Sequence, residues 1–390
     1  MLTILIGRAK TGKSDWVLRK IAALGESGQQ ILLVPEHASY QAEVDVCRVC
    51  GDHASRYAEV LSFRRLGERV LSITGGISDV TLDSGGKLLT LQRALLETAP
   101  MLTLYRRPSQ KVGFLEQMLA LFDELQCYEV TPERLYEQAQ SLTGATRDKL
   151  LDLSLLYGAY ESRLYRPGLD ARDRMTKLCE ALESSRYAFG KDVFVDGFTY
   201  FNAQERQVLE SILRQARSVT VTLLGEPDSA EEMFQVSLRT RDQLTRLAAQ
   251  AGCPWEVRTL TSADDSALGY LEHHFFGEGE PYQGDSSAIR VREADTAFSE
   301  VEQTAADIRR LVAAGKCRYR DITVAARNMT DYEGTIETVF ERYSIPAYLS
   351  RRSSMLEKPV WSLITGVLSA LENGLEYEDM FRWLKTGLAG

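Results

Sequence analysis

The first fifteen residues constrain the fold of this chain more than any other segment. Residues 2–6 form a short apolar run bounded by glycine, which predicts a buried strand. The next segment matches G-x-x-x-x-G-K-[ST] at every fixed position, and its residues are Gly7, Arg8, Ala9, Lys10, Thr11, Gly12, Lys13 and Ser14. An amphipathic helix is predicted over 15–24. A strand, a glycine loop and a helix in this order predict a phosphate-binding loop in an α/β fold.

The loop predicts a site for ATP and Mg²⁺. Backbone N–H groups of such a loop, together with the helix N-terminus, point at phosphate oxygens. Lys13 is expected to neutralise the β- and γ-phosphates and Ser14 to ligate Mg²⁺. Lys10 occupies a position that is usually glycine, where it either constrains the loop or adds positive charge near the phosphates. The alternative is a glycine turn before an ordinary helix.

Strands and helices alternate along the first part of the chain, which predicts a parallel sheet. Strands are predicted at 30–34 and 59–63, with a helix over 39–50 between them. From about 84 to 187 the 3.6-residue period predicts helices only, at 86–98, 111–127, 132–141 and 146–165. Strand character returns at 192–198 and 218–224, on either side of a helix over 203–215. A helical domain inserted into a parallel-sheet domain accounts for this order.

A second α/β unit is predicted after a linker at 262–288, which is poor in apolar periodicity. Its elements are strand 288–292, helix 298–314, strand 321–326 and helix 331–342. The helical pattern still continues at the last residues, so we expect the chain to be part of a longer protein. The predicted domains are 1–83 and 188–284 for the first unit, 84–187 for the helical insertion, and 285–390 for the start of the second.

Composition limits the partners and the compartment. The net charge is −9, from 46 basic and 55 acidic residues, so any nucleic-acid contact must use local patches. No apolar run approaches the roughly 18 residues of a membrane span, and no signal peptide is evident, which predicts a cytoplasmic protein without membrane contact. Cys47 and Cys50 have metal-ligand spacing but no second pair, which favours two thiols on a helix over a metal site.

The order of these features resembles the N-terminal part of the AddB family, the B subunits of the bacterial ATP-dependent helicase–exonuclease AddAB, and behind it the UvrD-like superfamily 1 helicases. The resemblance rests on residues 7–14, 32–36, 41–43, 60–63, 193–198, 204–205, 320–327 and 343–346. It implies a RecA-like phosphate-loop domain and the start of a second one. It further implies an AddA helicase–nuclease partner in a heterodimer, single- and double-stranded DNA as ligands, and recognition of the hotspot sequence Chi. An iron–sulfur cluster is implied only for a nuclease domain beyond residue 390.

One departure from the motor ATPases bears on the activity. They pair a Mg²⁺-binding Asp with a Glu that orients the attacking water, and here Asp196 is followed by Gly197. Without that carboxylate, general-base assistance worth about 10²–10⁴ in rate is missing. We therefore expect nucleotide binding, with Asp196 on Mg²⁺, but little turnover. Arg327 lies where similar helicases place an arginine on the γ-phosphate, and a solvated strand-end charge is the alternative.

DNA contacts are predicted at two places by the same resemblance. Ser62 and Phe63 lie where related helicases hold single-stranded DNA, so an exposed aromatic ring could stack on a base. A Phe after a strand is also typical of a core. Arg166 and Arg172 could follow phosphates, or simply solvate a helix face.

Two other functions remain open from the sequence. An active ATP-driven DNA translocase would need another carboxylate, and Glu205 and Glu226 are the nearest candidates. A phosphate-loop kinase for a small molecule would need the helical insertion to bring catalytic arginines to the phosphates.

Overall fold

The computed structural model describes residues 1–75, 82–107, 113–166, 169–170, 174–227, 231–261, 264–276, 279–349 and 358–388. The chain forms two compact units, Met1–Ser286 and Ser287–Gly390. Each unit has a hydrophobic core of its own.

The first unit is built on a six-stranded parallel sheet. The strands in chain order are β1 (Leu2–Gly7), β2 (Gln30–Leu33), β3 (Ala58–Leu61), the short antiparallel pair β4 (Tyr165–Arg166) and β5 (Leu169–Asp170), then β6 (Asp192–Val195), β7 (Ser218–Leu224) and β8 (Trp255–Thr259). The sheet order is β3-β2-β6-β7-β1-β8, and every neighbouring pair is parallel. The predicted α/β fold with a parallel sheet is confirmed.

Helices connect the strands and fill the second unit. Those of the first unit are α1 (Lys13–Leu24), α2 (Ser39–Cys50), α3 (Phe63–Thr74), α4 (Ser84–Thr98), α5 (Phe114–Cys127), α6 (Pro132–Gln140), α7 (Gly144–Leu164), α8 (Arg174–Ser185), α9 (Ala203–Gln215), α10 (Gln235–Gln250) and α11 (Ala267–His274). Those of the second unit are α12 (Ala297–Ala313), α13 (Glu333–Arg342), α14 (Pro359–Glu372) and α15 (Tyr377–Leu384).

The sheet is buried on both faces, which explains its continuous apolar strands. Ile31 and Leu33 of β2 contribute to one core cluster, together with Ile4 of β1. The alternate residues Leu32 and Val34 contribute to a second cluster, with the apolar face of α1. Side chains of a strand alternate between faces, so both layers of helices pack on the same strands.

Helices α4 to α7 surround a further core. Phe122 of α5 stacks on Tyr157 of α7, with ring centroids 4.7 Å apart. The buried Asp152 of α7 accepts hydrogen bonds from the backbone N–H groups of residues 103–105, at 2.7 to 3.1 Å. These N–H groups supply the partners that the buried carboxylate needs, and the hydrogen bonds hold the turn after α4 against α7.

Three sequence predictions differ from the structure. The strands expected at 288–292 and 321–326 are not formed, and Val291 is 92% exposed. A strand needs a hydrogen-bonded neighbour, and the described residues of the second unit, 287–349 and 358–388, contain none. The predicted linker at 262–288 contains α11.

The acid stability of the sheet is expected to depend on Asp192, which is buried at the start of β6. Burial by itself raises the pKa of the Asp192 carboxyl. Hydrogen bonds from Arg217 and from Ser218 Oγ (2.6 Å) lower the pKa by more than burial raises it, so the net pKa is below the ordinary value. The stabilisation is therefore present above the unfolded pKa of about 3.9 and is lost as the pH falls through the lower folded value.

Arg217→Ala is expected to cost about 1–3 kcal/mol at neutral pH, because it leaves a buried carboxylate short of a partner. Denaturant unfolding followed from pH 7 to about pH 2 should show the difference from the unaltered protein shrinking once the pH falls below about 3.9 and Asp192 protonates. Arg214→Ala, which removes only an exposed pair with Glu210 one turn away, is the control. A loss that stays constant over this pH range would contradict the assignment.

Candidate nucleotide-binding site

The glycine loop joins β1 to α1 at the carboxyl edge of the sheet. Gly12 caps α1 with φ of 79°, and Lys10 adopts φ of 58°, a left-handed conformation that is uncommon outside glycine. A Cβ at Gly7 would lie 2.5 Å from both the Leu260 carbonyl oxygen and Thr11 Oγ1. The two fixed glycines of the motif are therefore required by the backbone: Gly7 because a Cβ would clash, and Gly12 because its conformation is left-handed.

The side chain of Lys13 lies in the hollow of this loop. Its Nζ donates to the carbonyl oxygens of Gly7 (2.6 Å) and Arg8 (2.7 Å), and to Thr11 Oγ1 (3.3 Å). Burial lowers the pKa of Lys13, while the charges of Asp196 and Glu272 act in the opposite direction. The ammonium group thus lies among loop oxygens and within electrostatic reach of Asp196.

Asp196 follows β6, which is separated from β1 only by β7. Its carboxylate accepts a hydrogen bond from Thr222 Oγ1, and its backbone N–H donates to the Leu33 carbonyl at 2.9 Å. Ser14 is exposed in the first turn of α1. A hydroxyl and a carboxylate at one edge of the sheet are oxygen ligands of the kind that Mg²⁺ prefers. Thr222, which orients the carboxylate, had no signal in the sequence.

The residue after Asp196 cannot accommodate a side chain easily. Gly197 has φ of 84°, and a Cβ there would lie 3.3 Å from Cδ of Pro35. A non-glycine residue in this left-handed conformation costs about 1–2 kcal/mol. The backbone at this strand end is thus shaped for glycine and not for a glutamate.

Arg8 contributes to the loop in a way that the motif did not reveal. It is 7% exposed, and its guanidinium bonds the carboxylates of Glu226, Glu231 and Glu272, each at 3.0 Å. It also donates to the Glu272 carbonyl at 2.9 Å and covers the ring of Phe234 at 4.9 Å. The side chain therefore ties the loop to α11 and to the segment after β7.

Ser62 and Phe63 are buried in this structure, and their contact with DNA stays a prediction. Ser62, 2% exposed, donates to the Glu36 carboxylate and accepts the Arg65 N–H at the start of α3. Phe63 is 6% exposed, and its ring meets Phe198 edge-on at 5.5 Å. The alternative interpretation, a Phe in the core, is the one that the structure supports.

The remaining predicted site residues stay predictions. The side chain of Arg166 and all of Arg172 lie outside the described residues. Arg327 is exposed in the second unit, where it lines a cavity of about 500 Å³ with Asn328 and Tyr332.

Cys47 and Cys50 are free thiols on α2. Among the described residues, no group of three His, Cys, Asp or Glu side chains is placed to hold a metal ion. None of the described helices combines the length and the apolar character that a bilayer span requires.

A six-stranded parallel sheet with helices on both faces defines an α/β protein of the RecA-like class. A family model described as "ADDB, N-terminal" matches residues 4–272, and the chain belongs to the AddB family. The B subunit of the ATP-dependent helicase/deoxyribonuclease of Thermoanaerobacter sp. (strain X514) is 32% identical over 402 residues, covering 99% of this chain and 35% of the relative. The protein of the same description from Clostridioides difficile (strain 630) is 31% identical over 409 residues, covering 100% and 35%. The chain therefore spans about a third of the length of these relatives.

Proposed function

We propose that this chain is the N-terminal region of the B subunit of an ATP-dependent helicase/deoxyribonuclease that acts in the cytoplasm in recombinational repair of double-strand breaks. It binds ATP with Mg²⁺ and hydrolyses it little. The full-length protein works with an AddA partner on single- and double-stranded DNA and takes part in Chi recognition. Its nuclease domain and iron–sulfur cluster lie in a region other than these 390 residues. The observation that carries the proposal of little turnover is Gly197, which is left-handed and crowded by Pro35 at the position after Asp196.

Nucleotide binding follows from groups already arranged at the loop. A triphosphate replaces the loop carbonyls as the partner of Lys13 Nζ, so an ammonium–carbonyl contact becomes a stronger ammonium–phosphate contact. The N–H groups at the start of α1 add their partial positive charge. Ser14 and Asp196 supply oxygen ligands for Mg²⁺ bound with the phosphates.

The two carboxylates that could replace the missing base, Glu205 and Glu226, have other contacts in the structure. Glu205 forms the capping box of α9, where its carboxylate accepts the Asn202 N–H at 2.9 Å. Glu226 is paired with Arg8 at 3.0 Å. Both candidates of the translocase alternative are thus engaged in structural contacts. The kinase alternative gains no support from the described parts of α4 to α7, whose buried side chains form their own core.

Gly197→Glu is expected not to create an ATPase. Supplying the missing carboxylate forces a left-handed glutamate against Pro35, so we expect a loss of about 1–2 kcal/mol in stability and no gain in turnover. The measurement is DNA-stimulated ATP hydrolysis by the full-length protein with its partner, whose own phosphate loop is inactivated, alongside denaturant unfolding.

Gly197→Ala is the matched control, because it carries the backbone strain without the carboxylate. The two variants should lose similar stability and show the same low turnover. Brisk hydrolysis by the unaltered protein, abolished by Lys13→Ala, would instead establish the active translocase.

A further inference from the structure

A cavity of about 620 Å³ lies along β3, the strand at one edge of the sheet, and is called the β3 groove below. All four residues of β3 line it, and α2 and α3 contribute its two walls through residues 43–47 and 65–72. Ala58 and Val60 are only 6% and 8% exposed, although their strand has the edge position. The edge of β3 is therefore recessed between two helices.

Two residues of β3 turn their peptide groups toward the β3 groove. The carbonyl oxygens of Tyr57 and Leu61 accept backbone N–H groups from the β2 side, at 2.7 and 2.9 Å. Successive residues of a strand direct their N–H and C=O groups to opposite sides, so those of Ala58 and Val60 point away from β2. In the part of the chain that the structure describes, β3 has a strand neighbour on the β2 side only. Each of these two residues thus offers one donor and one acceptor at the spacing of a further strand.

The charges on the walls of the β3 groove are already paired. Arg65 of α3 bonds Glu43 of α2 at 2.5 Å, and Arg69 bonds Glu59 at 2.7 Å. Glu68 is paired with arginines that do not line the groove. A nucleic-acid backbone would have to break these ion pairs to find a cation, so the groove favours a ligand of low net charge.

The two walls differ in polarity. The α2 wall includes the apolar residues Val46 and Ala54, and the α3 wall includes Arg69 and Ser72. Because α2 and α3 pack on opposite faces of the sheet, a strand added to β3 would direct alternate side chains to an apolar and to a polar wall. The recess between the helices admits one extended strand, whereas the edge of a second helix-covered sheet would meet α2 and α3.

The opposite edge of the sheet is protected in the way that is usual for an edge strand. β8 carries Glu256 and Arg258, which bond each other at 2.7 Å, and Trp255 is 49% exposed. Charged side chains on an exposed edge disfavour pairing with another strand. The two edges of this sheet are thus different, and only β3 combines outward peptide groups with a walled groove.

We propose that the β3 groove binds an extended loop or tail of a second protein, which pairs with β3 as a seventh strand. The peptide groups of Ala58 and Val60 provide main-chain hydrogen bonds, and the two walls select a segment in which apolar and polar residues alternate. The inference uses no residue of the glycine loop, so it is independent of the proposed nucleotide binding.

The probe is a synthetic peptide with the β7 sequence Ser-Val-Thr-Val-Thr-Leu-Leu, in which apolar and hydroxyl residues alternate, followed by two lysines for solubility. Fluorescence anisotropy on the full-length protein with its partner subunit should give a Kd of about 100 μM or tighter. Two further peptides carry N-methyl groups on alternate residues, one on the odd and one on the even positions. Only one of them removes the N–H groups that face β3, so one should bind at least tenfold more weakly and the other within about twofold.

Ser55→Trp places a large ring in the β3 groove from an exposed position and should weaken binding of the unmethylated peptide at least tenfold. His53→Trp, exposed on the same turn but outside the lining, is the matched control and should bind within about twofold of the unaltered protein. Both variants should unfold at the same urea concentration as the unaltered protein. Hydrogen exchange at Ala58 and Val60 should slow at least tenfold when the peptide is bound.

Four results would overturn the inference. The first is no binding of the unmethylated peptide at 100 μM or below, and the second is equal binding of all three peptides. The third is full protection of the Ala58 and Val60 amides without peptide, which would mean that the protein covers this edge itself. The fourth is a single-stranded oligonucleotide whose binding Ser55→Trp abolishes, which would assign the groove to DNA.

Discussion

Lys13→Ala is expected to weaken ATP binding by tenfold or more. The Lys13 ammonium lies in the hollow of the loop, where it donates to carbonyl and hydroxyl oxygens that a phosphate would displace. A charge-assisted hydrogen bond to phosphate contributes about 1.5–3 kcal/mol, which corresponds to roughly 10- to 150-fold in affinity. Calorimetry with ATP and Mg²⁺ on the full-length protein measures the change directly.

Lys20→Ala is the matched control for this prediction. Lys20 is an exposed lysine on the same helix α1, so its removal changes the net charge equally without touching the loop. Its ATP affinity should stay close to that of the unaltered protein. Equal losses in the two variants would mean that long-range charge, and not a contact at the loop, governs binding.

Phe63→Ala is expected to destabilise the first unit by about 3–5 kcal/mol, the usual cost of truncating a buried Phe. Phe63 meets Phe198 and Phe201 edge-on, with ring centroids 5.5 and 6.3 Å away, so alanine leaves a cavity between aromatic rings. Urea unfolding measures the loss. Phe63→Leu retains most of the buried apolar side chain and should lose clearly less.

Tyr200→Ala is the control for the neighbouring surface, because Tyr200 is 60% exposed. It should change stability by no more than about 0.5 kcal/mol. The stacking hypothesis for Phe63 predicts the opposite pattern for that residue: unchanged stability and weaker binding of single-stranded DNA. A stable Phe63→Ala protein with reduced DNA affinity would contradict the core assignment.

Local patterns were enough to predict much of the sheet domain. The helices over 39–50 and 203–215 begin and end where the sequence predicts them, and the strands at 30, 192 and 218 begin at the expected residues. The strands at 30 and 192 are continuous buried runs, and the helix over 203–215 has a strong cap in Asn202. Hydrophobic period and capping are properties of consecutive residues, so they can be read without knowing the fold.

The elements that sequence reasoning missed lack such a local signal. Strand β8 lies at the edge of the sheet, and none of its residues is fully buried, so no apolar run indicates it. Its place is set by pairing with β1, over 250 residues earlier in the chain. The segment 288–292 shows the converse, since an apolar alternation alone does not form a strand without a neighbour.

The sequence by itself determined the glycine loop after β1, the aspartate after β6 and the glycine beside it, because each is defined by residue type and immediate neighbours. Only the tertiary structure decided what their side chains contact. Arg8 forms a hydrogen bond with Glu272, which lies 264 positions away in the chain. Phe63, which follows β3, packs on Phe198, which follows β6. Side-chain partners of this kind depend on which strands lie side by side, and the sheet order that brings them together is not encoded in any short segment.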